Sequence, residues 1–349
     1  MIKAVLAIET SCDDTSVAIV SDGGWVQAVV SANQDLAHSP FGGIVPEIAC
    51  RNHSLSLLPL VDQVFQQAQK NWDEIDGIAV TARPGLMGAL IVGLVTAKSL
   101  SQAKEIPFIG VNHLEGHIVA PLLRDSTYQP PDDFSYPFLA LAVSGGHTSL
   151  YQINAFSDYQ VLGATLDDAA GEAFDKFGKS LGLGWPGGVK VDQHSQLGDV
   201  KAYDFPRSMI KEDSYAMSFS GLKASGQRMI ESLEKHQIEK ELANLCASYQ
   251  EAIVDVLLAK LDRAVHKTKI QKAVITGGVS ANSRLRKRAQ EWAQKKNVQL
   301  VIPPLRYCTD NAAMIGYAGL LRLQRGEKSE LDLGPSPNSW PTDFKGKGR

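Results

Sequence analysis

One pattern occurs twice in this chain and limits its fold more than any other feature. An apolar strand, Val5–Ile8, runs into a polar turn, Glu9–Asp14, and then into a second strand that opens on Thr15 and ends at Val20. Far downstream, Phe138–Val143 runs into Ser144–His147 and a strand that opens on Thr148 and ends at Ile153. A chain that restarts its own plan predicts two related lobes, and 349 residues give room for both.

The surroundings extend each unit. A Gly23-Gly24 turn leads to a third strand, Trp25–Ser31, so the opening reads as an antiparallel meander. Ala32–Gly43 lacks periodicity and reads as a loop. Pro46 suits a first helical position, and Ile48, Leu55, Leu58 and Val61 predict a long helix with a kink near Pro59. Ile78–Thr81, Leu86–Lys104, Phe108–Val111 and His113–Leu123 then alternate strand and helix, which argues for a parallel sheet with helical crossovers. Asp125–Pro137 is polar and rich in proline, the best linker. In the second half, Asn244–Val265 is an amphipathic helix, Ala273–Thr276 a strand and Asn282–Lys296 a helix. A last helix, Asn311–Gln324, is expected to cross back. The lobes are therefore placed at 1–133 with 311–341, and at 137–310, leaving 342–349 as a frayed tail.

Composition sets the class. Hydrophobic residues at 44% and charged residues at 21% match a soluble enzyme and exclude general disorder. Cys12, Cys50, Cys246 and Cys308 form no CxxC pair, which argues against a disulfide scaffold or zinc ribbon. The N-terminal apolar run is too short for a signal peptide, and no run approaches the roughly 18–20 residues that span a bilayer. A reduced, cytoplasmic protein without a membrane partner is expected.

The sharpest local signal is Asn112–His117, NHLEGH. His113 and His117 share one helical face a turn apart, which suits a metal, whereas the plain alternative is a pair of surface histidines. Asp310, opening a helix, is a plausible third ligand, and two histidines with one carboxylate leave positions open. A zinc protease would need Glu directly after the first His. Glu115 comes a residue later, about 200° round the helix, and faces away.

Glycine-rich turns after strands form the second signal: Ser144-Gly145-Gly146-His147, Pro186-Gly187-Gly188 and Gly277–Asn282. They let backbone N–H groups approach phosphate or ribose, although none matches a Walker loop or GxGxxG. Asp13, Asp14, Asp167, Asp168, Asp175 and Asp192 are the acidic candidates. Asp167 and Asp168 also suit a helix start, and Asp175 and Asp192 flank the second turn. Finally, Lys260–Lys296 holds eleven basic residues against Asp262 and Glu291, a local +9 that leaves −12 for the rest of a chain whose total is −3. It reads either as solvated helix faces or as a surface for phosphates.

Together these segments resemble the TsaD family, the tRNA N6-adenosine threonylcarbamoyltransferases. The likeness rests on Ala7–Thr15 (AIETSCDDT), Gly42–Glu47 (GGIVPE), Asn112–His117, Val143–Thr148 (VSGGHT), Asp167–Lys176 (DDAAGEAFDK), Phe219–Lys223 (FSGLK), Gly277–Asn282 (GGVSAN) and Cys308–Asn311 (CTDN), in order. The resemblance implies an α/β fold of the actin/Hsp70/hexokinase (ASKHA) kind, with two duplicated lobes around a nucleotide-binding cleft. It implies transfer of a threonylcarbamoyl group from threonylcarbamoyl-AMP to the adenosine 3′ of the anticodon, in tRNAs reading codons that begin with A. It further implies one divalent metal, Fe(II) or else Zn, on His113, His117 and Asp310. Adenylate contacts would come from Ala142, Val143, Ser144, Gly145, Gly146, Asp175, Gly188, Asp192 and Asn282, and TsaB-like and TsaE-like proteins would be partners. Asp13 or Asp14 would take the proton from the attacking amine.

Two positions depart from the family pattern. Arg83 stands where relatives often have Gly, and Asp14 where they often have Glu. The alternatives are a non-catalytic paralogue acting as a scaffold, which would lack the metal residues, and an actin-like kinase, which would not need the histidine pair. Related carbamoyltransferases acting on other acceptors usually carry extra domains, for which this chain has no length to spare.

Overall fold

Val5–Ile8 and Val17–Val20 are wholly buried, which makes their strands the centre of a sheet rather than its edge. In the computed structural model, which describes residues 2–339 and Asp343, these strands are β1 (Ala4–Glu9) and β2 (Thr15–Ser21), followed by β3 (Trp25–Ala32). The three form the expected meander. Then come α1 (Asp35–His38), α2 (Pro46–Ala68), β4 (Gly77–Arg83), α3 (Met87–Lys104), β5 (Phe108–Asn112) and α4 (His113–Val119). β4 joins β1 in parallel and β5 joins β4, giving the order β3-β2-β1-β4-β5.

The second half contains β6 (Phe138–Val143), β7 (Thr148–Ala155), β8 (Asp158–Ala164), α5 (Ala170–Ser180), α6 (Gly187–Ser195), α7 (Ser220–Glu231), α8 (Lys235–Thr268), β9 (Lys272–Thr276), α9 (Ser283–Lys296) and β10 (Gln299–Val301). Its sheet runs β10-β9-β6-β7-β8, antiparallel through β6, β7 and β8 and parallel through β6, β9 and β10. Strand for strand this is the first sheet again, so the repeated motif marks a repeated topology. α10 (Ala312–Gln324) follows.

The chain divides into Met1–Asp133 with Pro303–Asp343, and Phe134–Ile302. The return to the first unit falls at Pro303 instead of 311, so Asp310 belongs to the same unit as the two histidines. In the first unit Leu6, Ile8, Val17 and Ile19 pack with Leu57, Val61, Val64 and Leu94 of α2 and α3. Ala7, on the opposite face of β1, meets α10 at Gly316, so the sheet is covered on both sides. The second unit is built around α8, whose Leu245, Ile253, Val256, Leu257 and Leu261 lie in its core. α8 is long and apolar enough to cross a membrane by composition, but 72% of its apolar window is buried inside the protein.

Four expectations need correction. The stretch 32–43 contains α1 and a 3-10 turn, Ser39–Phe41, as well as loop. α2 runs unbroken through Pro59, because the proline sits on the solvent face, where water can satisfy the carbonyl it leaves unpaired. On that helix Leu55 and Leu58 are 70% and 57% exposed, and the buried stripe is Ala49, His53, Leu57, Leu60, Val61, Val64 and Phe65. Of the tail 342–349, only Asp343 lies among the described residues, and it is anchored. Its carboxylate takes Arg83 Nε and Nη2, both at 2.8 Å, and Asn112 Nδ2 at 2.7 Å. Upstream, Ser329 N–H donates to Phe108 O and Ser329 Oγ accepts from Gly110 N–H, which covers the outer edge of β5.

Candidate functional site

The metal candidates are placed by two asparagine caps. Asn112 Oδ1 accepts from Leu114 N–H at 2.8 Å and starts α4 at the carboxyl end of β5. His113 and His117 follow one turn apart, both buried. Between them Gly116 lets α10 come close, since a Cβ there would lie 2.8 Å from Ile315 Cδ1. α10 begins in the same way, with Asn311 Oδ1 accepting from Met314 N–H at 3.0 Å, and Asp310 stands just before that cap.

Asp310 Oδ1 lies 3.3 Å from His113 Nε2 and 3.2 Å from His117 Nε2. Ligands about 2.0–2.2 Å from one cation, at octahedral to tetrahedral angles, sit roughly 3.0–3.5 Å apart. The three residues therefore form a candidate metal centre whose spacing fits a divalent ion with positions left open. Glu115 is buried elsewhere, held by Arg322 of α10 through Nε at 2.7 Å and Nη2 at 2.9 Å. It does not reach the triad, so the protease arrangement is absent.

Charge pairing runs through the triad. Burial opposes a charged His113, yet the Asp310 and Glu9 carboxylates outweigh it and hold the imidazole's pKa well above its ordinary value. Burial dominates at His117 and lowers its pKa. Asp310 is half-buried, which opposes its ionisation, but the two histidines hold its carboxyl well below the usual range.

The turn after β1 lies in the same unit and is firmly held. His53 of α2, buried, accepts from Thr15 Oγ1 at 2.7 Å on Nδ1 and donates from Nε2 to Cys12 O at 3.0 Å. Burial lowers its pKa and favours this neutral form. Asp14 Oδ1 accepts from Asn33 Nδ2 at 3.0 Å. Burial, then the charges of Asp13 and Asp310, push the Asp14 carboxyl up to about 7, and burial also raises Asp13. The Cys12 thiol is raised by burial and by Asp13, which keeps it protonated. Sequence reasoning missed Glu9 and His53. Both are buried polar residues on a strand or helix, where periodicity alone reads as core.

The second unit gathers the glycine-rich turns. Ala142 and Val143 end β6, and Ser144 N–H donates to His147 O to close the turn. Gly145 and Gly146 have no left-handed φ, and a Cβ on either would meet nothing within 4 Å. Neither backbone nor packing demands glycine at these two positions. Gly277 differs: its φ is +87°, and a Cβ would lie 2.5 Å from Val143 O. Asp175 Oδ1 accepts from Gly188 N–H at 2.8 Å. Asp192 accepts from Ser283 N–H and Oγ at the start of α9, and Asn282 Oδ1 caps that helix at Leu285 N–H. Asp167 is structural, since it accepts from Phe219 and Ser220 N–H and from the Ser218 and Ser220 hydroxyls at the start of α7. Asp168 pairs with Lys223 at 2.6 Å.

Part of the basic stretch is paired with acids outside it. Arg284 and Arg288 bind Glu251, Arg288 also binds Asp255, and Lys267 binds Asp213. Lys260 is buried and donates to the carbonyls of Met209 and Ser214.

Comparison with known proteins adds independent findings. The TsaD profile, described as tRNA N6-adenosine threonylcarbamoyltransferase, matches residues 26–317. A protein of that name from Bdellovibrio bacteriovorus is 67% identical over 99% of this chain and 100% of its own length. One from Anaeromyxobacter dehalogenans is 48% identical over 95% of this chain and 98% of its own. Among solved structures, full-length HypF in its phosphate- and nucleotide-bound form superposes with a TM-score of 0.60 at 12% identity, covering 94% of this chain and 47% of HypF. Component A of the Acidaminococcus fermentans (R)-2-hydroxyglutaryl-CoA dehydratase gives 0.53 at 12% identity, over 92% and 99%. These structural likenesses establish a shared ASKHA-type fold.

Proposed function

The chain belongs to the TsaD family of tRNA N6-adenosine threonylcarbamoyltransferases, and on that premise we propose that it moves the threonylcarbamoyl group from threonylcarbamoyl-AMP to N6 of the adenosine 3′ of the anticodon. The acceptors are tRNAs reading ANN codons, and the site of action is the cytoplasm. The observation that carries this reading is the ligand spacing of His113, His117 and Asp310. A non-catalytic scaffold has no need of it.

We assign the triad one divalent metal, Fe(II) ahead of Zn, which supplies Lewis-acid charge when bound. The other steps fall to the chain's own groups. Backbone N–H groups of Ser144, Gly145 and Gly146, after Ala142 and Val143, cradle the adenylate. Asp175, Gly188, Asp192 and Asn282 border it. The open space at Gly145 and Gly146 supports this assignment. N6 attacks the carbamoyl carbon, the bond from that carbon to the phosphate oxygen breaks, and AMP leaves with the electron pair. The amine's proton goes to Asp14 or Asp13. A carboxyl near pH 7 is matched to that work.

TsaB-like and TsaE-like proteins are the proposed partners. An apolar stripe on α3, Met87, Ile91 and Val95, stays exposed, as do Leu55 and Leu58 on α2, which supports docking of another protein. His113→Ala tests the reading: metal content and transfer should vanish together, and full transfer by that variant would refute the scheme.

A further inference from the structure

Glu9 ends β1 and is wholly buried, and the functional reading above gives it no role. Three donors converge on its carboxylate. Ser11 N–H reaches Oε1 at 2.5 Å, Thr81 Oγ1 reaches Oε2 at 2.6 Å, and His113 Nδ1 lies 2.9 Å from the same Oε2. The placement follows from topology. β1 and β4 pair in parallel with Ile8 opposite Val80, so Glu9 and Thr81 stand side by side at the carboxyl ends of their strands. His113 follows the end of β5, the next strand.

We infer that Glu9 is a positioning residue for the metal centre: it takes the Nδ1 proton of His113 in a hydrogen bond and so fixes the tautomer that turns the Nε2 lone pair towards His117 and Asp310. An imidazole has one proton to place when neutral, and a carboxylate can only accept it. With Nδ1–H committed to Glu9, Nε2 is left as the ligand atom, and Nε2 is the atom 3.3 Å from Asp310 Oδ1. Ser11 Oγ also neighbours Nδ1, but at 3.2 Å it is farther away and uncharged. The carboxylate is itself oriented, because a backbone N–H and a threonine hydroxyl hold its two oxygens. This is the carboxylate–histidine pairing that raises the basicity of a metal-bound imidazole.

The inference rests on the metal reading of the triad, and the test separates the two. The full-length protein is labelled with ¹⁵N-histidine and titrated with Zn²⁺, and the protonation of each His113 nitrogen is read by NMR. The expected result is stoichiometric Zn²⁺ binding with the proton on Nδ1 and the metal on Nε2. Zn²⁺ held through Nδ1 would overturn the inference and leave the metal reading intact. Failure of the wild type to bind Zn²⁺, Fe²⁺ or Co²⁺ would overturn both. Glu9→Gln, which keeps the shape but cannot accept from all three donors, should weaken Co²⁺ binding about 10–100-fold. Thr81→Val removes a neighbouring hydrogen bond without touching His113 and should change that affinity less than about threefold. Equal losses in the two variants would mean that Glu9 serves the fold alone, and the inference would fall. The NMR result on the wild type decides the matter even if Glu9→Gln does not fold.

Discussion

Asp14 carries a carboxyl that folding makes costly to ionise. Its ordinary value is 3.8, and in the folded chain it stands at about 7. Between those two values the unfolded chain has lost the proton and the native chain still holds it, so native stability falls as pH rises through that window. The penalty is complete above pH 7 and amounts to as much as about 4 kcal/mol. Asp14→Asn should therefore raise the melting temperature at pH 8 and leave it nearly unchanged at pH 4, while reducing transfer. Thermal melts at the two pH values check the first part, and equal shifts at both would contradict it. Gly146 makes the opposite case. Gly146→Ala should keep stability within about 0.5 kcal/mol of the wild type, or raise it slightly, yet weaken adenylate binding. Melting together with AMP titration checks this, and undiminished AMP affinity would count against the cradle. At this scale the sequence displays His113, His117 and Asp310 through spacing and residue type. Glu9 and His53 are not legible in it, because their work lies in hydrogen bonds to residues distant along the chain.

The elements place these residues by their ends. α4 and α10 both start on asparagine caps, and each cap stands next to a metal candidate. The cap at Asn112 has a second support. Its Nδ2 donates to Asp343, which also takes both arms of Arg83. Arg83 needs no left-handed backbone here, because it ends β4 in extended conformation and spends its charge on Asp343. Arg83→Ala should cost about 1.5–3 kcal/mol by chemical denaturation. In an Asp343→Ala background the same change should cost much less, and strict additivity would show that the two do not act as a pair. Element positions were largely readable, since β1, β2, α3, α8 and α9 follow their apolar periods. β8 and β10 were not recognised. The segment at +9 stayed open between two readings because charge summed along the chain ignores partners from elsewhere: Glu251, Asp255 and Asp213 pair with part of it in the fold.

The whole molecule is one topology used twice, and the two copies end in different residues. The first sheet ends its strands at the histidine–aspartate triad and the second at open glycine turns. The duplication was visible in the paired strand–turn–strand motifs, whereas the return at Pro303 was not, because no composition change marks it. The central claim is that both copies serve one transfer to tRNA. The most direct test incubates the full chain, with the proposed TsaB-like and TsaE-like partners, with threonylcarbamoyl-AMP and unmodified tRNA reading an ANN codon, followed by nucleoside analysis. The account predicts N6-threonylcarbamoyladenosine beside the anticodon and an equal amount of AMP, both lost in His117→Ala. No modified adenosine from the wild type, or an undiminished yield from His117→Ala, would contradict it.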